Sequence, residues 1–227
     1  KAYKKIWWDE GSPLIVLSQR LQEKVQKKTS FPVALAMRYG NPSIKAGLQE
    51  LHDKGVTDVL IVPLYPQFAM ATTETILVLA HELQEKYFPE MVLTHIPAFY
   101  NKGEYIKVLG DRIKAYLSDK DWKKIMFSYH GVPERHIRKS DITKSHCNPS
   151  DQHFKCCQSS SPAHEFCYKH QCYETTRQVV DYLGLKEDQY VTTFQSRLGR
   201  DPWLQPYTDK TIEKFAEEGI DQLAVVT

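Results

Sequence analysis

No stretch of this 227-residue chain is apolar for long enough to cross a bilayer, and no secretory signal pattern is present. A cytoplasmic protein is therefore the expectation. Charge of one sign is missing as well: 30 Lys and Arg stand against 28 Asp and Glu, which removes any electrostatic case for a nucleic-acid partner. There is no repeat of solenoid period and no low-complexity tract. No C-x2-C pair occurs among the five cysteines, which counts against a zinc ribbon. An initiator methionine is also absent. The chain opens at Lys1-Ala2-Tyr3, already inside patterned sequence, and stops at Leu223-Ala224-Val225-Val226-Thr227, a strand with nothing after it. The expectation is a piece of a longer protein, truncated at both ends.

Aromatic side chains are plentiful. Tyr 13, Phe 9 and Trp 4 suit a pocket for a flat apolar ligand, and the length allows one large domain or two small lobes, each with a real core. Short β-rich runs alternate with amphipathic ones. Ser12-Pro13 caps and starts a helix that carries Leu14, Leu17, Leu21 and Val25 at helical spacing. Residues 32–38 read as a strand. Ser43 caps a helix with Ile44, Leu48 and Leu51, and Gly55 ends it. A buried strand over 59–62, a helix capped by Thr72 or Thr73 and running to Tyr87, a strand over 91–94 and a helix over 103–117 follow. The second half repeats this, with strands over 125–128 and 190–194, helices over 173–183 and from Thr208, and a last strand at the end. Such alternation predicts an α/β fold of parallel sheets with helices on both faces. The polar stretch Ser118-Asp119-Lys120-Asp121 marks the seam between lobes over 1–120 and 121–227.

The apolar run Ile125-Met126-Phe127 empties into Ser128-Tyr129-His130-Gly131-Val132-Pro133. An imidazole is thereby placed at the carboxyl end of a strand, where open α/β folds build their sites. Histidine exchanges protons near neutral pH better than any other side chain, although one at a strand end can also simply cap or pack. Other strands end in comparable strings. Arg38-Tyr39-Gly40-Asn41-Pro42 follows one, and Leu64-Tyr65-Pro66-Gln67-Phe68 follows the next. Phe194-Gln195-Ser196-Arg197-Leu198-Gly199-Arg200-Asp201-Pro202-Trp203-Leu204 follows a third. In this order, with Tyr3-Lys4-Lys5-Ile6-Trp7 and Gly11-Ser12-Pro13-Leu14 ahead of them, they make the chain resemble the ferrochelatases over nearly its whole length. These enzymes insert ferrous iron into a porphyrin to make haem.

The resemblance implies two flavodoxin-like, chelatase-type lobes facing each other across a porphyrin cleft. His130 matches the active-site histidine of the family, placed either to accept pyrrole protons or to bind the incoming ferrous iron. Insertion of a divalent metal displaces two pyrrole protons, so a base near the macrocycle centre is useful, and the same nitrogen can ligate iron. A planar macrocycle hides its lone pairs in the ring plane, so the site should also hold the porphyrin distorted. Tyr39, Tyr65, Phe68 and Trp203 match positions lining the cleft, with core filling as the alternative. Arg38 matches a basic residue able to pair a propionate, with a surface ion pair as the alternative, and Arg197 and Arg200 stand similarly. The second essential group, a carboxylate, is expected beyond Thr227 and a first strand before Lys1, so the chain by itself should be inactive. The implied substrates are protoporphyrin IX and Fe2+, giving protohaem. A porphyrin- or haem-binding module without turnover, and a chelatase for another tetrapyrrole, are the competing readings. Contact with the inner membrane and oligomeric state stay open.

Residues 139–172 break the pattern. They are polar and aperiodic, and hold Cys147, Cys156, Cys157, Cys167 and Cys172 in the spacing C-x8-C-C-x9-C-x4-C. Tyr168-x-x-Gln171-Cys172 with Thr175-Thr176 matches the ordinary family sequence, whereas the material between His136 and Cys167 looks inserted. Cysteines clustered in a cytoplasmic protein argue for a metal or cluster rather than disulfides. Four thiolates suffice for a [2Fe–2S] cluster, and the chain resembles those ferrochelatases that carry one. Four of the five would ligate, and the adjacent Cys156 and Cys157 are not both expected to do so. Zinc held with help from His146, His153, His164 or His170 is the second reading, and free thiols the third.

Overall fold

A computed structural model describes residues 5–147 and 155–227, so His153 lies outside the described residues. The chain forms two compact units, one of residues 1–63 and 74–96, the other of 64–73 and 97–227.

The first unit contains α1 (Pro13–Gln26), α2 (Ile44–Asp53), β1 (Asp58–Ile61), α3 (Thr75–Tyr87) and β2 (Val92–His95). Pro13 sits in the first turn of α1, where its missing N–H costs nothing. The Ser43 hydroxyl accepts from the Ala46 N–H and starts α2. β1 and β2 pair in parallel with Val59 opposite Leu93, as expected when a helix crosses between them. Ile44, Leu48, Leu51, Val59, Ala80, Phe88 and Met91 form the core. The strand expected over 32–38 does not form. The Val33 N–H is taken by Gln26 Oε1 at 2.9 Å and its carbonyl by Gln22 Nε2 at 2.8 Å, so side chains of α1 consume the groups a ladder would need. Only Met37 is paired, in an isolated bridge to Ser43. Neither Thr72 nor Thr73 caps α3. A π-helical turn over Met70–Glu74 leads into it, and Glu74 occupies the cap position.

The second unit holds α4 (Gly103–Leu117), β3 (Lys124–His130), α5 (Glu134–Ser140), α6 (Tyr168–Leu183), β4 (Tyr190–Gln195), α7 (Thr208–Glu217) and β5 (Leu223–Val226). Its strands lie in the order β4-β3-β5, all parallel. The chain moves outward from β3 to β4 and then back past β3 to β5. Right-handed crossovers therefore send the connections through α6 and α7 to opposite faces, and the order reverses at β3. One core group gathers Ile106, Ile113, Ile125, Phe127, Val179 and Val180. The other gathers Val132, Ile137, Cys147, Cys167, Cys172, Phe194 and Leu204. α4 joins this unit, so the units do not divide at 118–121. It packs on α6, where Gly110 leaves room for the Tyr182 ring.

The described parts of segment 139–172 are not the structureless loop that its composition implies. Single 3₁₀ turns form at Lys155–Gln158 and Pro162–Phe166, and α6 starts at Tyr168 rather than near Tyr173, with Cys167 Sγ accepting from the His170 N–H. Asp141 anchors the entry to it. This buried carboxylate accepts from the Cys147 N–H at 2.8 Å, the Thr143 N–H at 2.9 Å and the Thr143 hydroxyl at 2.7 Å. Burial pushes its carboxyl up, but these donors outweigh burial and hold it below the usual range. Asp141→Ala strands buried donors and is expected to cost about 1–3 kcal/mol in urea unfolding of the full-length protein. Because the folded value is depressed, this stabilisation is present at neutral pH. It fades as pH falls below the unfolded carboxyl value of about 3.9 and through the folded one.

Candidate functional site

β3 carries its side chains from a buried interior to an open end. Ile125 to Ser128 are buried, Tyr129 is half-buried and His130 is exposed. His130 Nδ1 lies 2.7 Å from the Gly131 carbonyl. A carbonyl can only accept, so this contact assigns the proton to Nδ1 and leaves the Nε2 lone pair free as base or ligand. Main-chain bonds hold the histidine in place. Its carbonyl accepts from the Tyr168 hydroxyl at 2.9 Å, and it stands in register with Gln195 of β4. The next N–H, of Gly131, donates to the Gln195 carbonyl at 2.7 Å. No side chain fits at Gly131, because a Cβ would stand 2.8 Å from that carbonyl oxygen and 3.3 Å from Trp203 Cε3.

Trp203 is brought to the same place by a short antiparallel contact. Pro133 bridges Trp203, the Glu134 N–H donates to the Pro202 carbonyl at 2.9 Å, and the Leu204 N–H donates to the Val132 carbonyl at 3.0 Å. The indole N–H is spent on the Leu198 carbonyl at 2.8 Å, which frees the ring face to act as an apolar wall. In the same unit, the Phe68 N–H donates to Gln171 Oε1 at 2.7 Å, and Gln67 Nε2 donates to Thr175 Oγ1 at 3.0 Å. The Phe68 ring stands edge-on to Phe166 at 5.2 Å, whereas Tyr65 is exposed. Ala69 and Met70 line a small cavity with Val132, His136 and Tyr168, so the 64–73 segment reaches the end of β3.

Arg38 and Tyr39 lie in the other unit. The Arg38 guanidinium covers the Tyr39 ring at 4.6 Å, its buried Nε has no partner, and Tyr39 is 75% exposed. Arg197 is tied to Asp209 at 3.4 Å and to the Tyr207 ring at 4.4 Å, whereas Arg200 is exposed. The sequence places Tyr168 and Gln195 within family strings but gives neither a role at the site. Tyr168 falls outside any periodic run, and Gln195 serves through its main chain. Burial keeps the Tyr129 and Tyr168 phenols protonated far above neutral pH, so they serve as donors rather than bases.

Cys147, Cys167 and Cys172 are buried in one core group, Cys156 packs against it, and Cys157 is half-buried. The hydrogen bond from Cys147 lowers the Cys167 thiol, but Cys157 and burial outweigh it and push the group up to about 12. Burial pushes the fully buried Cys172 thiol far up. Beside them, His164 and His170 stack at 3.6 Å with their planes 9° apart. Burial holds both imidazoles below their usual range, in the neutral form. Among the described residues, no three or more His, Cys, Asp or Glu side chains are arranged to hold a metal ion.

The ferrochelatase family model matches residues 1–227. The chain is 43% identical over 227 residues to a ferrochelatase of Ectopseudomonas mendocina and 42% identical to one of Stutzerimonas stutzeri. Each match covers 99% of this chain and 65% of the relative, so the chain spans about two-thirds of their length. Among solved structures, SirB from Bacillus subtilis with Fe3+ shares the fold with a TM-score of 0.58 at 13% identity, over 96% of this chain and 84% of that one. The ordered motifs at the strand ends, the parallel sheets that carry them and the match over every residue converge: the chain belongs to the ferrochelatase family.

Proposed function

We propose that the protein inserts Fe2+ into protoporphyrin IX to form protohaem, with His130 at the reacting centre. The observation that carries this reading is the free Nε2 of an exposed imidazole at the open end of the central strand, where the strand order reverses. From there His130 either accepts a pyrrole proton as the metal enters or ligates the incoming iron; both roles use the same lone pair. Trp203 closes one side of that position. Tyr65, Phe68 and Tyr39 are read as further walls for the macrocycle, with Phe68 held partly in place by Phe166. Arg38 is read as the partner of a propionate, which the partnerless Nε supports. The test is a turnover assay on the full-length protein with Fe2+ and protoporphyrin. Loss of porphyrin fluorescence with appearance of haem absorption is expected, and porphyrin binding without haem formation would favour a binding module.

The same reading includes a [2Fe–2S] cluster held by Cys147, Cys156, Cys157 and Cys167, with Cys172 outside it. Two buried and two half-buried thiols match the donor set of such a group. Bound there, it would supply a one-electron redox couple. Anaerobically purified full-length protein is expected to absorb from the near-ultraviolet into the visible. Cys167→Ser should lose that absorption and Cys172→Ser keep it, whereas colourless protein containing zinc would end the cluster reading. The reading places the protein in the cytoplasm with contact at the inner membrane. Exposed Trp7, Leu14, Leu17 and Phe31 support the contact, and among the described residues no helix is long and apolar enough to cross.

A further inference from the structure

We infer that His146, His164 and the main-chain carbonyl of Cys156 form a site for a divalent transition-metal cation of the zinc type, distinct from the cysteine thiols. His146 Nε2 and His164 Nε2 stand 3.2 Å apart, and the Cys156 carbonyl oxygen lies 2.9 Å from the first and 3.2 Å from the second. Donors on a tetrahedral ion with bonds of about 2.0–2.1 Å stand roughly 3.3 Å from one another, close to this triangle. The two rings converge rather than lie end to end, with centroids 5.1 Å apart and planes at 73°.

The carbonyl, which also accepts from the Ser159 N–H at 3.3 Å and the Ser159 hydroxyl at 3.4 Å, cannot donate, so any proton inside the triangle comes from an imidazole. A cation draws on all three lone pairs at once. The donors are firmly held. The His146 N–H donates to Thr143 Oγ1 at 3.1 Å, the His164 N–H to the Ser161 carbonyl at 3.1 Å, and His170 stacks behind the His164 ring. Two imidazoles and one carbonyl select a borderline metal rather than calcium or magnesium, and both histidines are half-buried, which leaves a position for water. The third donor is main chain, so the site needs no third ligating side chain. A bound ion would cross-link three short segments that have no sheet or long helix to join them.

The test uses zinc on full-length protein in a His130→Ala background, so that the imidazole proposed for the reacting centre contributes nothing. After desalting, one equivalent should remain. Zinc-edge X-ray absorption, which ignores iron, should show nearest neighbours at about 2.0–2.1 Å with imidazole scattering behind them. His146→Asn and His164→Asn should each lose the metal. No retained zinc, sulfur neighbours at about 2.3 Å, or zinc kept by either variant would overturn the site. The measurement on protein with both histidines intact decides the matter even if a variant fails to fold, and its failure leaves the turnover and cluster tests untouched.

Discussion

Replacing His130 with alanine in the full-length protein is expected to lower kcat for iron insertion by about 10²–10⁴-fold, the range over which a positioned proton acceptor usually contributes. Stability should barely move. The side chain is exposed at a strand end, where removal leaves no cavity, and its one hydrogen bond goes to the adjacent carbonyl. The two roles open to the imidazole separate kinetically. A proton acceptor predicts that added imidazole restores activity and that the pH profile of kcat loses its lower limb. A metal ligand predicts a raised KM for Fe2+ with kcat less affected. Undiminished turnover would remove His130 from the reaction altogether.

Phe194→Ala is expected to cost about 3–5 kcal/mol. Phe194 is 1% exposed and packs with Val132, Ile137 and Leu204, and its ring lies 6.3 Å from that of Tyr129 and 6.1 Å from that of Tyr173. It also precedes Gln195, whose carbonyl pins Gly131 beside His130. Loss of the ring should therefore lower the urea midpoint and, in whatever remains folded, impair turnover by loosening that pin. Phe127→Ala removes a comparable ring from the other core group. It should cost as much stability yet leave the catalytic constant of the folded fraction nearly intact. A loss below about 1 kcal/mol for Phe194→Ala, with unchanged activity, would show that the β3–β4 junction does not depend on this ring.

Much of the fold was legible where local chemistry and burial agree. Ser43 caps, Pro13 starts a helix, Gly55 stops a helix with positive φ, and Ile125 to Ser128 are buried in the central strand as their composition requires. Legibility failed where side chains from elsewhere compete for main-chain groups. Residues 32–38 look like a strand, but Gln22 and Gln26 reach across from α1 and take the pairing groups of Val33. The start of α6 was placed too late because cysteine is an unusual cap, and Cys167 takes that role only with the preceding turn folded against it.

The candidate site shows the same division. Residue types and their order along the chain determined by themselves that His130 ends a buried strand, that an aromatic and basic string follows the neighbouring β4, and which family this is. Short-range pattern suffices for that, because a strand's burial and the turn that follows it are encoded within a few residues. Only the tertiary structure decided which nitrogen of His130 is free and that Tyr168 and Gln195 hold it. Those outcomes depend on contacts between segments tens of residues apart, whose partners no local pattern specifies.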